Sequence, residues 1–224
     1  LQSQEIQLSL LPEKDPVFEG FDISGRSIPA QIVGDDVYDF IWVTPKILGI
    51  AIGDATGHGL PAALQARDAL VGLRIGIHED QKIVKVFEKL NKVINRSELT
   101  SRYVSLFYME LETSGQVVYI NAGHVYPFHF RKRKDRFEPM QEGGIVLGPT
   151  SQAVYGRGFI KMRPGDCVIG FSDGITEAKN VDGEDFGEER VQQFVREHYD
   201  EYSAGQMVDR LMDEVAAWSG SDDP

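Results

Sequence analysis

Apolar positions along this chain fall into two kinds of run. Short stretches that are continuously apolar or alternate with polar residues predict strands at 21–30, 36–43, 47–52, 103–111, 116–121, 126–132, 159–162 and 167–171. Longer stretches with apolar positions three and four apart predict helices at 60–73, 81–96, 188–198 and 204–218, with a short one at 175–179. In the second of these Ile83, Val86, Phe87, Leu90, Val93 and Ile94 make the stripe expected to face a core. Pro61 suits a first helical turn. Residues 1–11 carry Leu1, Ile6, Leu8, Leu10 and Leu11 among glutamines, a pattern that predicts a helix ending before Pro12. Strand runs and helix pairs come in blocks, and residues 12–224 show neither an internal repeat nor a linker. That order suggests one domain of α+β layers rather than a βαβ series.

Three acidic turns stand out against this pattern. Pro45-Lys46 joins two strands into a hairpin, and the second strand runs into Gly53-Asp54-Ala55-Thr56-Gly57-His58-Gly59. Asp54 is therefore expected at a strand end, on a turn loosened by glycines, just ahead of a helix. A carboxylate there either caps the helix or binds something. The first hairpin strand opens with Gly34-Asp35-Asp36-Val37-Tyr38-Asp39. Carboxylates this dense are costly unless solvated or neutralised by a cation. Strand alternation sends Asp36 and Tyr38 to one face and Asp35, Val37 and Asp39 to the other. The third acidic turn, Ser172-Asp173-Gly174, ends the strand at 167–171.

Other turns are less telling. Thr113-Ser114-Gly115 and Asn121-Ala122-Gly123-His124 separate strands, and His124 is expected to pack or hydrogen-bond within its turn. Arg131-Lys132-Arg133-Lys134 is expected as a solvated hairpin tip, with a docking patch for an acidic partner the sharper alternative. Gly143-Gly144-Ile145-Val146-Leu147-Gly148-Pro149 lacks the Lys-Ser/Thr of a P-loop and the spacing of a dinucleotide fingerprint.

Charge narrows the chemistry. With 23 basic and 35 acidic side chains among 224 residues, the formal charge is −12. That balance argues against nucleic acid as partner and suits carboxylates gathered around divalent cations. Cys167 is the one cysteine, so no intrachain disulfide forms, and a reducing, cytoplasmic setting is expected. No apolar run approaches the roughly 20 residues of a membrane helix. Separated aspartates are what hard cations such as Mg²⁺ or Mn²⁺ need. No HExxH or CxxC pattern points to zinc, and no GxSxG elbow points to a serine hydrolase. On the aspartates alone, calcium sites and metal-dependent nucleases stay open.

The motifs also resemble a family. Gly34-Asp35-Asp36-Val37-Tyr38-Asp39, the 53–59 segment, Asn121-Ala122-Gly123-His124, and Gly165-Asp166 running to Ser172-Asp173-Gly174-Ile175-Thr176-Glu177-Ala178 are similar, in order, to the metal-dependent PPM (PP2C-type) serine/threonine protein phosphatases of the bacterial SpoIIE/RsbU-like branch. The resemblance implies a four-layer α-β-β-α sandwich with two stacked, mainly antiparallel sheets. It implies two Mn²⁺ or Mg²⁺ ions, with Asp54 bridging them, the Ala55 carbonyl a further ligand, Asp36 holding one ion and Asp173 the other. Asp222 is the choice for a last ligand, with Asp223 the alternative, in a tail that stops before the family's closing strand. Asp54 and Asp36 would then carry catalysis, in which a metal-activated water attacks a phosphoserine or phosphothreonine ester. His58 is expected to be structural. Asp35 departs from the family's usual glycine.

The implied substrate is a phosphorylated regulatory protein of the anti-sigma-antagonist type. Residues 1–11 would link to an upstream sensor domain, with homodimerisation one route for its signal. A non-catalytic binding module that keeps the fold is the alternative, and a phosphohydrolase or nuclease with another substrate is a third reading.

Overall fold

The computed structural model describes residues 11–28, 34, 36–57, 59–78, 82–96 and 103–220. The expectations for residues 1–10, Asp35, His58, Asp222 and Asp223 lie outside the described residues.

The hairpin is there, and longer than predicted. Strand β1 (Asp36–Thr44) pairs antiparallel with β2 (Ile47–Ala55). β2 then pairs with β3 (Val104–Glu112), and β3 with β4 (Gln116–Ala122). The far side of β4 is shared by two short strands: β7 (Gly143–Gly144), parallel, and β8 (Gly158–Lys161), antiparallel. These six make one sheet. A second sheet of three strands runs in the order β6 (Arg136–Pro139), β5 (Phe128–Arg131), β9 (Cys167–Ile169).

Alternation along the strands sorts the side chains into layers. Val37 and Ile41 of β1, Ala51 and Ala55 of β2, and Leu106 and Tyr108 of β3 share a core with helices α1 (Leu60–His78) and α2 (Ile83–Asn95). The opposite face of the same strands, including Leu48, Phe107 and Met109, forms a second core with Met140 and Val168 from the neighbourhood of the small sheet. The outer face of the small sheet, with Phe128 and Ile169, packs against Phe194 of α4 (Gly187–His198) and Met207 and Leu211 of α5 (Ala204–Ser219). Three cores between four layers are the expected α-β-β-α sandwich. A short helix α3 (Asp173–Thr176) leads away from β9.

Local chemistry explains the element ends. Ser203 and Gln206 form a reciprocal capping box at the start of α5, and Gly220 closes it in the left-handed region at φ 66°. Several sequence expectations need correction. Residues 21–28 are not a strand, since Phe21 makes only an isolated bridge with Phe18. This segment is held instead by side chains. Asp15 accepts from Ser24 and Arg26, Arg26 also meets Asp209 of α5, and Asp22 accepts the Ala204 amide. Val93 is 63% exposed and leaves the α2 stripe, because Ile83, Val86, Phe87, Leu90 and Ile94 already fill the core face. In the basic hairpin tip Arg131 meets Glu138 and Lys132 meets Asp200 at 2.6 Å, so half the run is tied up internally.

Candidate metal centre

Strand register brings the first two aspartates together. Asp36 and Asp54 are directly paired residues of β1 and β2, and such cross-strand pairs carry Cβ atoms about 5 Å apart. Both have the parity of Phe40, Ile50 and Ile52, so they point toward the space between the sheets. Asp54 lies inside β2, one residue before its end, rather than on the glycine turn expected from sequence. The ladder with β3 continues through Ala55, paired with Val104, and fixes the aspartate more firmly than a loop would. Thr56 donates from both its amide and its hydroxyl to the Tyr103 carbonyl.

The third aspartate arrives from the other sheet. β9 hands the chain through Phe171 to Ser172, whose hydroxyl donates to Asp36 Oδ2 at 2.7 Å. Asp173 follows as the first residue of α3. One carboxylate oxygen each from Asp36, Asp54 and Asp173 lies within 4.8 Å of the other two. Asp36 and Asp54 are half-buried, and Asp173 is exposed. Ala55, fully buried, sits at the strand end beside them. Three hard oxygen donors with no nitrogen or sulfur in the group fit a divalent cation of the Mg²⁺ or Mn²⁺ type. Like charges this close are costly without a cation between them.

Around this centre lie groups with no functional role expected from sequence. Ser105 is the cross-strand partner of Asp54 on β3, and its Oγ lies 2.8 Å from His124 Nδ1. His124 is 3% exposed, and burial pushes its pKa down to about 4, opposed by the Phe171 backbone. Asn121 holds the turn, accepting from the His124 amide and donating to the His124 and Met140 carbonyls. Ser172 lies within the Ser172-Asp173-Gly174 turn, but its bond to Asp36 depends on tertiary structure. Ser105 belongs to no motif and could be found only through strand register. On the helix-facing side of β1, buried Asp39 receives two hydrogen bonds from Arg74 of α1, at 2.5 and 2.6 Å. It is a structural ion pair, separate from the acidic centre by strand parity. Burial pushes the Cys167 thiol up to about 11, away from the thiolate form.

Two stacked sheets flanked by helices, with carboxylates from both sheets converging at one edge, define the PP2C class of phosphatase-domain fold. The SiaA-PP2C domain of Pseudomonas aeruginosa shares it with a TM-score of 0.78 at 16% identity, over 99% of this chain and 89% of that one. The PP2C phosphatase domain of SpoIIE from Bacillus subtilis, solved with a fragment of its regulatory domain, gives 0.70 at 18% identity over 84% and 55%. The chain belongs to the stage II sporulation protein E (SpoIIE) family, whose model matches residues 44–224. It is 32% identical over 218 residues to the phosphoserine phosphatase RsbU of Bacillus subtilis (strain 168), a match covering 94% of this chain and 62% of that relative's length. No helix among the described residues is long and apolar enough to cross a membrane.

Proposed function

We propose that this chain is the catalytic domain of a metal-dependent protein phosphatase that hydrolyses phosphoserine or phosphothreonine on a regulatory protein. The observation that carries the reading is the convergence of Asp36, Asp54 and Asp173 oxygens within 4.8 Å. Two Mn²⁺ or Mg²⁺ ions are the proposed complement, with the Ala55 carbonyl and Asp222 completing the ligand set. When bound, such ions lower the pKa of water and neutralise phosphoryl charge.

The protein's own residues then have distinct tasks. Asp54, one residue before the end of strand β2, would give its carboxylate to both ions. Asp36 is steadied by the Ser172 hydroxyl. Asp173, exposed at the start of α3, stands where a phosphorylated side chain reaches the site from solvent. His124 does not donate the proton to the leaving alkoxide, because it is sealed from solvent and neutral at ordinary pH. We assign that proton to solvent water at the open side of the site.

The relative RsbU, named a phosphoserine phosphatase, supports the same chemistry. The proposed substrate is a phosphorylated antagonist of an anti-sigma factor in the cytoplasm. Residues 1–11 are proposed to connect to an upstream sensor domain, with homodimerisation as a route for its signal. The test is Mn²⁺-dependent phosphate release from a phosphoserine peptide and from p-nitrophenyl phosphate, with Asp54→Ala as control. Release that requires Mn²⁺ and vanishes in Asp54→Ala is expected. A wild-type protein that releases phosphate from neither substrate would overturn the assignment.

A further inference from the structure

The Ser105–His124 pair has no place in the ligand set, yet it is built into the wall of the acidic centre. Ser105 is paired in register with Asp54 and shares its face of the sheet. His124 meets the Ser105 hydroxyl from the end of β4, at 2.8 Å. The main chain of His124 is held firmly. Its amide donates to Asn121 Oδ1 at 2.8 Å, its carbonyl accepts from Asn121 Nδ2 at 3.1 Å, and Asn121 is 1% exposed. A buried amide thus fixes the main chain that carries a buried imidazole, and the imidazole meets a hydroxyl beside Asp54.

The Ser105–His124 bond holds the hydroxyl in place. Burial keeps His124 neutral, so one ring nitrogen carries a proton and the other accepts. In either tautomer the 2.8 Å contact at Nδ1 uses one side of the Ser105 hydroxyl, and strand register leaves the remainder on the face it shares with Asp54.

We propose that Ser105, oriented by His124, is a positioning residue of the candidate metal centre, presenting its hydroxyl beside Asp54 to a water that bound cations would hold there. This rests on the phosphatase reading for its turnover readout but not for its binding readout. Outer partners of this kind are commonly worth about 10–100-fold in metal affinity or activity.

The test compares Ser105→Ala, Ser105→Thr, His124→Gln and the Ser105→Ala/His124→Gln double variant with wild type. Mn²⁺ affinity is measured by calorimetry, and kcat and KM on a phosphoserine peptide. Ser105→Ala is expected to lower kcat about tenfold with KM nearly unchanged, and to weaken Mn²⁺ binding several-fold. Ser105→Thr, which keeps the hydroxyl, is expected to restore most of both. His124→Gln is expected to match Ser105→Ala, and the double variant to be no worse than either single one. Losses that multiply in the double variant overturn the pairing. Mn²⁺ affinity and kcat equal to wild type in Ser105→Ala overturn the proposal, as does a defect confined to thermal stability. A wild type that binds Mn²⁺ without turnover overturns the proposed function instead. The pair is then judged by affinity alone, and equal Mn²⁺ binding by wild type and Ser105→Ala overturns it.

Discussion

Ser172 donates its hydroxyl to Asp36 across 136 residues of chain, at 2.7 Å. This one bond ties the segment leaving the small sheet to the edge strand of the large one, and it does so on an acidic residue of the candidate metal centre. Removing it as Ser172→Ala is expected to weaken Mn²⁺ binding about tenfold, while global stability falls by about 1–2 kcal/mol. Mn²⁺ titration together with urea unfolding separates the two effects. Unchanged Mn²⁺ affinity would show that Asp36 needs no such support.

The three clustered carboxylates make a prediction for the metal-free protein. Their mutual repulsion destabilises the fold when no cation lies between them. Asp54→Asn is therefore expected to raise the melting temperature without metal. At a Mn²⁺ concentration about 100 times its Kd, wild type gains about 2.7 kcal/mol from a single site. Asp54→Asn is expected to lose most of that gain. Thermal melts with Mn²⁺ and with EDTA check both halves.

The Asp39–Arg74 pair joins β1 to α1 on the far side of the sheet. Asp39 is 1% exposed, and its Oδ1 also accepts the Phe40 amide. Arg74→Leu strands a buried carboxylate, a change worth about 3–5 kcal/mol. Chemical denaturation is expected to show a loss of that order, and Mn²⁺ affinity of the folded protein is expected to stay near wild type. Asp39→Asn is expected to cost less, since an amide is cheaper to bury than an unpaired charge.

His124 sets an acid limit. Its pKa is depressed from 6.5 to about 4 in the folded protein, with burial the main cause. Above pH 6.5 it is neutral in both folded and unfolded chains, so its contribution is fully present. As pH falls from 6.5 toward 4 the unfolded chain takes up a proton that the folded one refuses, and stability drops by up to about 3 kcal/mol. Unfolding free energies measured across pH 4–7 are expected to fall less steeply for His124→Gln than for wild type. Parallel curves would contradict the assignment.

Much of this was legible in the sequence because the signals were local. The β1–β2 hairpin followed from two apolar runs around Pro45-Lys46. The α2 stripe followed from its 3/4 spacing, and the facing of Asp36 against Asp39 from strand alternation. The sandwich and the gathering of Asp36, Asp54 and Asp173 came from motif resemblance, since no local rule pairs residue 36 with residue 173. What failed did so for physical reasons. Residues 21–28 look strand-like in their mix of residues, yet they are fixed by Asp15, Asp22 and Arg26 rather than by a ladder. The glycines after Asp54 suggested a turn, but pairing with β3 extends the strand through Ala55. Ser105 and Arg74 carried no signal, because what distinguishes them is what lies across from them.

Gly143 marks how little slack surrounds the end of β4. A methyl group built there would sit 1.8 Å from the Asn121 carbonyl oxygen, which is backbone and cannot swing aside. The same Asn121 supports His124, and His124 faces Ser105. A single added carbon at this distant crossing would thus be felt along a line of rigid neighbours that ends at the aspartate cage. A substitution at Gly143 is therefore expected to disturb Ser105 without touching any of the three aspartates.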